Sequence, residues 1–405
     1  MDPWTESLHT RVSSSSTKVL DGAIFGVAGY ARQHLRFLRN AERDGLIRLR
    51  AALATGEERE RDTIKDLLSS GCSVYYSTSQ FFEDWTGKLD FCTLPTSISS
   101  HVPFMVQCLE AEMNVLVEKP LCADIDHLEK ILSSLPSYPN RVVGVGFQDL
   151  FAPENSDIYE KIGNGYLGKV RDIRLLGAWP RGNDYFSRND WAGKIRNNEG
   201  FIYDSPLNNA MAHFLNLCLY WASAGTKEEF DGIVDVEGNL YRAQMIDNFD
   251  TATVRLSLSN GIPISVWITH SSKEIIPPVV VIEGDRGTLT WKHGGEAYWK
   301  ISDKYIPIQR TSETDSRKNM FQKFFESIGE KRNLMETSLR QAIFHVRAIN
   351  FIQSNLTVSD VPADLLVSET IDGEQFTIIK GIEEILSHGF SERDLQISLR
   401  SHLLK

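Results

Sequence analysis

The chain has 405 residues, of which 41% are hydrophobic and 24% are charged. This composition is typical of a soluble globular protein, and the length predicts two domains. The formal net charge of −11 argues against a nucleic-acid-binding surface, which is normally basic. Every apolar run falls short of the roughly 18 residues that span a bilayer, so the sequence predicts no membrane partner.

The polar start of the chain, residues 1–18, contains the run Ser13–Ser16 and lacks the apolar centre of a signal peptide. We expect a disordered leader there. Five cysteines stand without metal-ligand spacing at Cys72, Cys92, Cys108, Cys122 and Cys218. Their odd number and apolar neighbours predict buried reduced thiols, no metal site and a cytoplasmic protein.

The first third of the chain alternates apolar runs with helical patterns. Predicted strands cover residues 23–27, 47–54, 72–76, 91–94, 115–117 and 142–147, and predicted helices cover residues 32–43, 63–68, 101–113 and 125–132. Strands that alternate with helices indicate βαβ units and a parallel sheet. We therefore predict a doubly wound, nucleotide-binding α/β domain over residues 19–148.

After residue 148 the pattern changes to short strands with glycine at the turns. Predicted strands cover residues 170–176, 251–258, 262–269, 278–283 and 287–291, and predicted helices cover residues 206–221, 318–328 and 338–353. Such strands favour a largely antiparallel sheet. We predict an α+β domain over residues 149–405, with no element assigned after Val358.

A glycine loop follows the first predicted strand and opens the first helix. It contains Gly26, Ala28, Gly29, Tyr30 and Ala31. Glycines at this position permit a tight turn, and the helix N-terminus attracts a pyrophosphate, so the loop predicts a dinucleotide site. The middle glycine of the usual pattern is replaced by alanine, which implies a slightly looser approach of the phosphates.

The acidic residue expected about 20 positions further on, where NAD-specific domains bind the ribose, is missing. Thr55 is a candidate hydrogen-bonding group for the ribose, Glu57 is an alternative, and Arg59 suits a 2′-phosphate. All three also fit a solvated loop. The sequence therefore leaves NAD and NADP open.

Glu118, Lys119 and Pro120 close the buried strand pattern of residues 114–117. Ligand sites of parallel sheets lie beyond the carboxyl ends of the strands, where partial burial lowers the pKa of a lysine. Lys119 is therefore a candidate functional group. The alternative interpretation is that it ends a strand and extends into water.

Asn209, His213, Asn216 and Tyr220 recur on one face of the predicted apolar helix 206–221. Because buried polar groups are costly unless they are hydrogen-bonded, the stripe favours a wet cleft or a ligand site. His213 is then the candidate general acid–base, and Asn209 would orient His213 or the substrate. The alternative is a core histidine satisfied by its neighbouring asparagine.

Taken together, four motifs resemble the Gfo/Idh/MocA oxidoreductases, from about Leu20 to Ser354. They are the glycine loop, Thr93–Thr96 with His101, the Glu118-Lys119-Pro120 tripeptide and the helix of His213. The resemblance implies a Rossmann domain followed by an open, largely antiparallel sheet that is often used for homo-oligomers, here a dimer or tetramer. It also implies hydride transfer between NAD or NADP and a sugar, cyclitol or related polyol.

The resemblance further implies roles for individual residues. Lys119 would contact both the substrate hydroxyl and the cofactor, and the Lys119–Pro120 peptide would be cis. The implied cofactor-binding set also includes Leu94, Pro95, Thr96, His101 and Glu118. One departure stands out, because the family usually has an aspartate four residues before the histidine. This chain has Asn209 there, and Asp204 is an alternative source of a carboxylate.

Trp191 and Lys194 lie in an aromatic and cationic loop that suits a sugar ring, although it also suits domain packing. Arg181 and Lys194 are compatible with an acidic or phosphorylated sugar. Three functions remain open from the sequence: a dehydrogenase of CH–OH groups, a glycosidase that uses transient oxidation by bound NAD, and a non-catalytic regulatory protein. Asn209 favours the last of these, and the presence of both Lys119 and His213 argues against it.

Overall fold

The computed structural model describes residues 18–54, 61–198, 200–224 and 232–395. The predicted leader, apart from its last residue, lies outside this part of the chain. So do Thr55, Glu57 and Arg59.

The first sheet has six parallel strands in the order β3-β2-β1-β4-β5-β6. Its strands are Leu20–Phe25 (β1), Ile47–Leu53 (β2), Ser73–Tyr75 (β3), Phe91–Leu94 (β4), Asn114–Val117 (β5) and Val143–Val145 (β6). Helices cover Ala31–Arg43 (α1), Arg61–Ser69 (α2), Thr78–Trp85 (α3), Ile98–Glu110 (α4) and Ile125–Ser134 (α5), with short 3₁₀ turns at Leu135–Ser137 and Gln148–Phe151. The prediction of a doubly wound parallel sheet is confirmed.

The second sheet has nine strands in the order β16-β15-β14-β13-β7-β12-β11-β10-β17. Its strands are Val170–Ala178 (β7), Ile233–Arg242 (β10), Thr251–Leu258 (β11), Pro263–Thr269 (β12), Ile276–Gly284 (β13), Gly287–Lys292 (β14), Ala297–Ile301 (β15), Lys304–Ile308 (β16) and Val358–Asp360 (β17). Two separate hairpins are formed by Arg196–Asn197 (β8) with Gly200–Phe201 (β9) and by Leu366–Ile371 (β18) with Glu374–Ile379 (β19). Only the pairs β7–β12 and β10–β17 within the described sheet are parallel, so the prediction of a largely antiparallel sheet is confirmed.

Helices accompany this second sheet on both faces. They cover Pro153–Gly163 (α6), Asn183–Ser187 (α7), Ala212–Ala222 (α8), Glu313–Glu330 (α9), Glu336–Asn355 (α10) and Ile382–Glu392 (α11), with a 3₁₀ turn at Ala363–Leu365. Helices α8 and α10 pack against one face. The unassigned tail covers the other face, where Ile382, Ile385 and Leu386 pack on Leu176 and Trp267.

The helix predicted over residues 206–221 begins later than expected, so its predicted start is wrong. Residues 205–211 form turns, and α8 begins only at Ala212. Asn208 explains the delay, because its side-chain amide donates to the carbonyl of Ile202 (3.1 Å) and its backbone N–H donates to Ser205 Oγ (3.3 Å). Local side-chain bonds of this kind compete with helix formation.

A single hydrophobic core runs through both sheets, so the division at residue 148 stays a prediction. All five cysteines are buried and unpaired. None of the helices in the described part of the chain combines the length and apolarity that a membrane crossing requires. Beyond the carboxyl ends of β5 and β6, Lys119 contacts Asn209 and Asp149 contacts His213, and the candidate site lies there.

Candidate functional site

The glycine loop leaves β1 at Phe25 and enters α1 at Ala31. Gly26 has φ +92°, and a Cβ there would lie 3.2 Å from the carbonyl oxygen of Pro95, so this position requires glycine. Gly29 has φ +55°, and the space beside it is open to 4 Å. A tight turn with an open outer face at a helix N-terminus fits the pyrophosphate of a dinucleotide.

His101 joins the ends of two neighbouring strands. Its Nδ1 lies 2.8 Å from the carbonyl oxygen of Pro120, after β5, and its Nε2 lies 3.2 Å from that of Thr96, after β4. Burial lowers the pKa of His101, although the two carbonyl contacts oppose the shift. The Thr96 hydroxyl is buried beside Gly26 and has no partner among the described residues. This orphaned group fits a polar atom of a bound cofactor.

The Glu118 side chain holds the backbone of the tripeptide in place. Its Oε1 lies 2.9 Å from His34 Nε2, and its Oε2 accepts the Lys119 N–H at 3.1 Å. Burial raises the pKa of Glu118, but the bond with His34, the imidazole charge and the Lys119 ammonium together lower it below its usual value. The Lys119–Pro120 peptide is cis, as the resemblance implied.

The Lys119 side chain crosses to the second domain. Its Nζ donates to the backbone carbonyl of Asn209 (2.8 Å) and to Asn209 Oδ1 (3.3 Å). Burial lowers the pKa of Lys119, and the charges of Arg317 and Arg188 add to this, while Glu118 and Asp204 oppose it. The predicted candidates Lys119 and Asn209 are therefore in direct contact.

Asn209 connects the lysine to a carboxylate. Its Nδ2 donates to Asp204 Oδ1 (2.8 Å) and lies 3.4 Å from the Tyr185 hydroxyl, while Asp204 Oδ2 accepts the Gly193 N–H (2.6 Å). Burial raises the pKa of Asp204 in spite of these bonds. The alternative carboxylate named from the sequence thus belongs to the lysine network, which we call the lysine arm (Lys119, Asn209, Asp204).

His213 has a different partner. Its Nδ1 lies 3.0 Å from Asp149 Oδ2, close enough for an ion pair although the angle is poor for a hydrogen bond. Burial raises the pKa of Asp149, but His213, and then His293 and Arg317, lower it below its usual value. The Phe147 ring packs edge-on against the imidazole. We call this pair the histidine arm (His213, Asp149).

Asp149 was absent from the predicted site. The sequence nevertheless contained a signal for it, because Gln148 and Asp149 come directly after the predicted strand 142–147, at the same sheet edge as Lys119.

The predicted polar stripe does not share one cleft, because Asn209 precedes the helix. Asn216 is buried and donates to the carbonyl of Gln341 on α10 (3.1 Å). Tyr220 stacks on Tyr159 and lines a groove of about 560 Å³ whose lining includes neither Lys119 nor His213.

The loop that contains Trp191 and Lys194 lies next to the lysine arm, which it contacts at Asp204. Trp191 packs against Ile98, Ala123 and Ile202, with the Arg188 guanidinium 5.0 Å from its ring centroid. The carbonyl of Lys194 accepts the Asp204 N–H at 3.0 Å. The loop therefore packs against its neighbours and lies next to Asp204, and its contact with a sugar ring stays a prediction.

Residues 20–147 match the model of the oxidoreductase family with NAD-binding Rossmann fold. An inositol 2-dehydrogenase from Rubrobacter xylanophilus is 26% identical over 124 residues, which are 29% of this chain and 35% of the relative. The match thus spans about a third of that relative's length. The family description agrees with the predicted nicotinamide cofactor.

Solved structures extend the likeness in fold to the second sheet. The WlbA dehydrogenase from Bordetella pertussis, in complex with NADH and UDP-GlcNAcA, has a TM-score of 0.68 at 16% identity, covering 83% of this chain and 96% of its own. An oxidoreductase from Agrobacterium radiobacter, in complex with NAD+, L-tartaric acid and magnesium, has a TM-score of 0.66 at 14% identity, covering 84% and 98%. Residues 20–147 thus match the Gfo/Idh/MocA oxidoreductase family, which confirms the resemblance for the motifs of the first domain. Beyond these residues the solved structures show the same fold.

Proposed function

We propose that this protein is an NAD(P)-dependent dehydrogenase that oxidises a CH–OH group of a sugar, cyclitol or related polyol. The observation that carries the proposal is the Lys119 ammonium, fixed 2.8 Å from the Asn209 carbonyl at the carboxyl end of β5 in a Rossmann domain of this family. Solved relatives of the same fold include a levoglucosan dehydrogenase in complex with NADH and levoglucosan.

The cofactor would be held by the glycine loop, by Leu94, Pro95 and Thr96, and by the segment of Glu118 and Lys119, with His101 joining the last two strand ends. A bound nicotinamide supplies the hydride acceptor. NAD and NADP both remain candidates, since Thr55 and Arg59 lie outside the described residues.

The side chains of the two arms divide the remaining chemistry. Lys119 stabilises the negative charge that develops on the substrate oxygen, because its ammonium is partly buried and already oriented by Asn209. His213 accepts the hydroxyl proton on Nε2, since Nδ1 faces Asp149. The Asp149 carboxylate stabilises the imidazolium that forms.

A panel of sugars, sugar acids and cyclitols, offered with NAD and with NADP, tests the proposal through the absorbance of reduced nicotinamide. We expect reduction with at least one compound. A glycosidase would release its product without accumulating reduced cofactor, and a regulatory protein would bind a ligand without turnover. Either outcome would replace the dehydrogenase by one of the alternatives left open by the sequence.

The homo-oligomer expected from the resemblance also stays a proposal. Helix α11 packs on β7 and β12, and α8 and α10 pack on the opposite face, so a dimer or tetramer would use surface outside these contacts.

A further inference from the structure

Two arginines of the loop after β7 stack on the same aromatic ring. The guanidinium carbon of Arg188 lies 3.6 Å from the ring centroid of Tyr185, and that of Arg181 lies 4.8 Å away. Arg188 also donates to the carbonyl of Tyr185, and the backbone N–H of Arg181 donates to the carbonyl of His270. Each guanidinium has five N–H donors, so these contacts use only a small part of them.

Three partly buried arginines elsewhere in the chain have carboxylate partners. Arg174 pairs with Asp172, Arg310 with Glu154 and Arg317 with Glu313. Within the described ranges, no carboxylate lies within ion-pair distance of Arg181 or Arg188. Two adjacent cations without a protein anion leave room for an anion from outside.

Two buried polar atoms beside Tyr185 are also unsatisfied. Arg181 Nε and His270 Nε2 have no hydrogen-bond partner among the residues that the structure describes. His270 is 2% exposed, and its Nδ1 lies 2.8 Å from the carbonyl of Trp179, so Nδ1 donates and Nε2 is an acceptor. A free donor and a free acceptor on side chains that both border the Tyr185 ring suit an acidic group next to a hydroxyl.

Tyr185 connects these atoms to the lysine arm. Its hydroxyl lies 3.4 Å from Asn209 Nδ2, and Asn209 in turn contacts Lys119. The acidic groups around the loop have other roles or lie in water: Asp204 is bonded to Asn209 and Gly193, Glu374 accepts the Asp184 N–H, and Asp184 and Asp190 are exposed.

We propose that Arg181 and Arg188 form a subsite for an anionic group, a carboxylate or a phosphate, carried by the substrate whose hydroxyl meets Lys119. Guanidinium groups match the geometry of both anions. This inference rests on the proposed function, because it assumes that the substrate binds at the lysine arm. It replaces Lys194, one of the two cations considered from the sequence, by Arg188.

Calorimetric titration of the protein with NAD bound tests the subsite, using D-glucuronate, D-glucose 6-phosphate and D-glucose as matched probes. We expect at least one anionic probe to bind tenfold or more tightly than glucose, and less tightly at high salt. Arg188→Gln should weaken that probe about tenfold or more, since charge-assisted bonds are lost, and Arg188→Lys should retain part of the preference. Arg188 is exposed, so its substitution leaves the fold intact; Arg181→Gln is the second variant. Comparison of the two anionic probes separates a carboxylate subsite from a phosphate subsite.

Arg36→Gln is the matched control, because Arg36 is also exposed and stacked on a ring, that of Phe37, but lies on α1. Equal affinity for all three probes, including no measurable binding of any, would overturn the subsite. So would a loss of affinity in the control as large as in the Arg188 variant. Selective binding of the anion without turnover of any compound would instead overturn the dehydrogenase and leave the subsite standing. Turnover of an anionic sugar with kcat and KM unchanged in both arginine variants would overturn the subsite and leave the dehydrogenase standing.

Discussion

Lys119 and His213 are positioned by different kinds of partner. The lysine contacts an amide and a backbone carbonyl, and its nearest carboxylate in the lysine arm, Asp204, is reached only through Asn209. The histidine faces a carboxylate directly, at 3.0 Å. Burial lowers the pKa of Lys119, whereas the pKa of Asp149 is lowered against burial by its positive neighbours. The comparison indicates that the charge missing at Asn209 is provided to the histidine by Asp149, in the 3₁₀ turn that follows β6.

The largest effect expected is on the lysine arm. Lys119→Ala should lower kcat by at least about a hundredfold, the loss typical of a group that stabilises an oxyanion. The dissociation constant of NAD should change by no more than a few-fold. Steady-state kinetics and cofactor titration measure the two quantities, with Lys130→Ala on the exposed face of α5 as the control. A variant that keeps most of its turnover would show that Lys119 only ends a strand.

The histidine arm should show a smaller effect. Asp149→Asn should lower kcat/KM about tenfold, because the imidazolium that forms on proton transfer loses a stabilising carboxylate. Combined with His213→Asn, it should cause little further loss, since the two residues act as a unit. Asp126→Asn, on exposed α5, is the control. An unchanged kcat/KM would mean that Asp149 has only a structural role.

Asn209→Asp restores the carboxylate that the family usually has. It also removes the donor to Asp204 Oδ1 and places two carboxylates side by side. We expect a loss of about 2 kcal/mol in the free energy of unfolding at pH 8, which is the cost of an unsatisfied buried group. The carboxylate pair would have a pKa raised above its unfolded value, so stability should return as the pH falls to 5. Denaturant titration at both pH values checks this. An equal loss of stability at both pH values would show that the two carboxylates do not take up a proton between pH 8 and 5.

The parallel first sheet could be predicted because its central strands are buried apolar runs, as in Asn114–Val117. The strands β15 and β16 were missed, since most residues of β16 are exposed and the apolar pattern is weak. The tail was missed for another reason. The apolar residues Ile382 and Leu386 match the outer face of a sheet formed far away in the sequence, and only tertiary packing shows this.

The candidate site was predictable one residue at a time but not as a set of contacts. Lys119 and His213 each stood out as a polar group in an apolar pattern. Their partners depended on where α8 begins, and the bonds of Asn208 decided that. The regular helix assumed from the sequence paired Asn209 with His213, whereas the observed turn directs Asn209 to Lys119.

The smallest effect expected is on the pH dependence of stability and concerns the buried His345. Its Nε2 lies 3.0 Å from the carbonyl oxygen of Leu207. Burial lowers the pKa of His345 to about 3, and the charges of Lys119 and His213 add to this. Because the folded pKa lies below the unfolded one, the stabilisation is complete above about pH 6.5 and is lost as the pH falls towards 3. When the pH is lowered from 6.5 to 5, the free energy of unfolding of His345→Gln should fall by about 1.5 kcal/mol less than that of the wild type. Denaturant titration at the two pH values measures this difference. An equal loss of stability in the two proteins would contradict a lowered pKa for His345.

The central claim is that the two arms act on one substrate oxygen. A crystal structure of the protein with NAD and its best substrate tests this directly. We predict that Lys119 Nζ and His213 Nε2 both lie within hydrogen-bonding distance of the hydroxyl that is oxidised, with Asp149 still against Nδ1. A substrate whose hydroxyl contacts Lys119 and Asn209 while His213 lies out of reach would contradict the account and assign the proton transfer to the lysine arm alone.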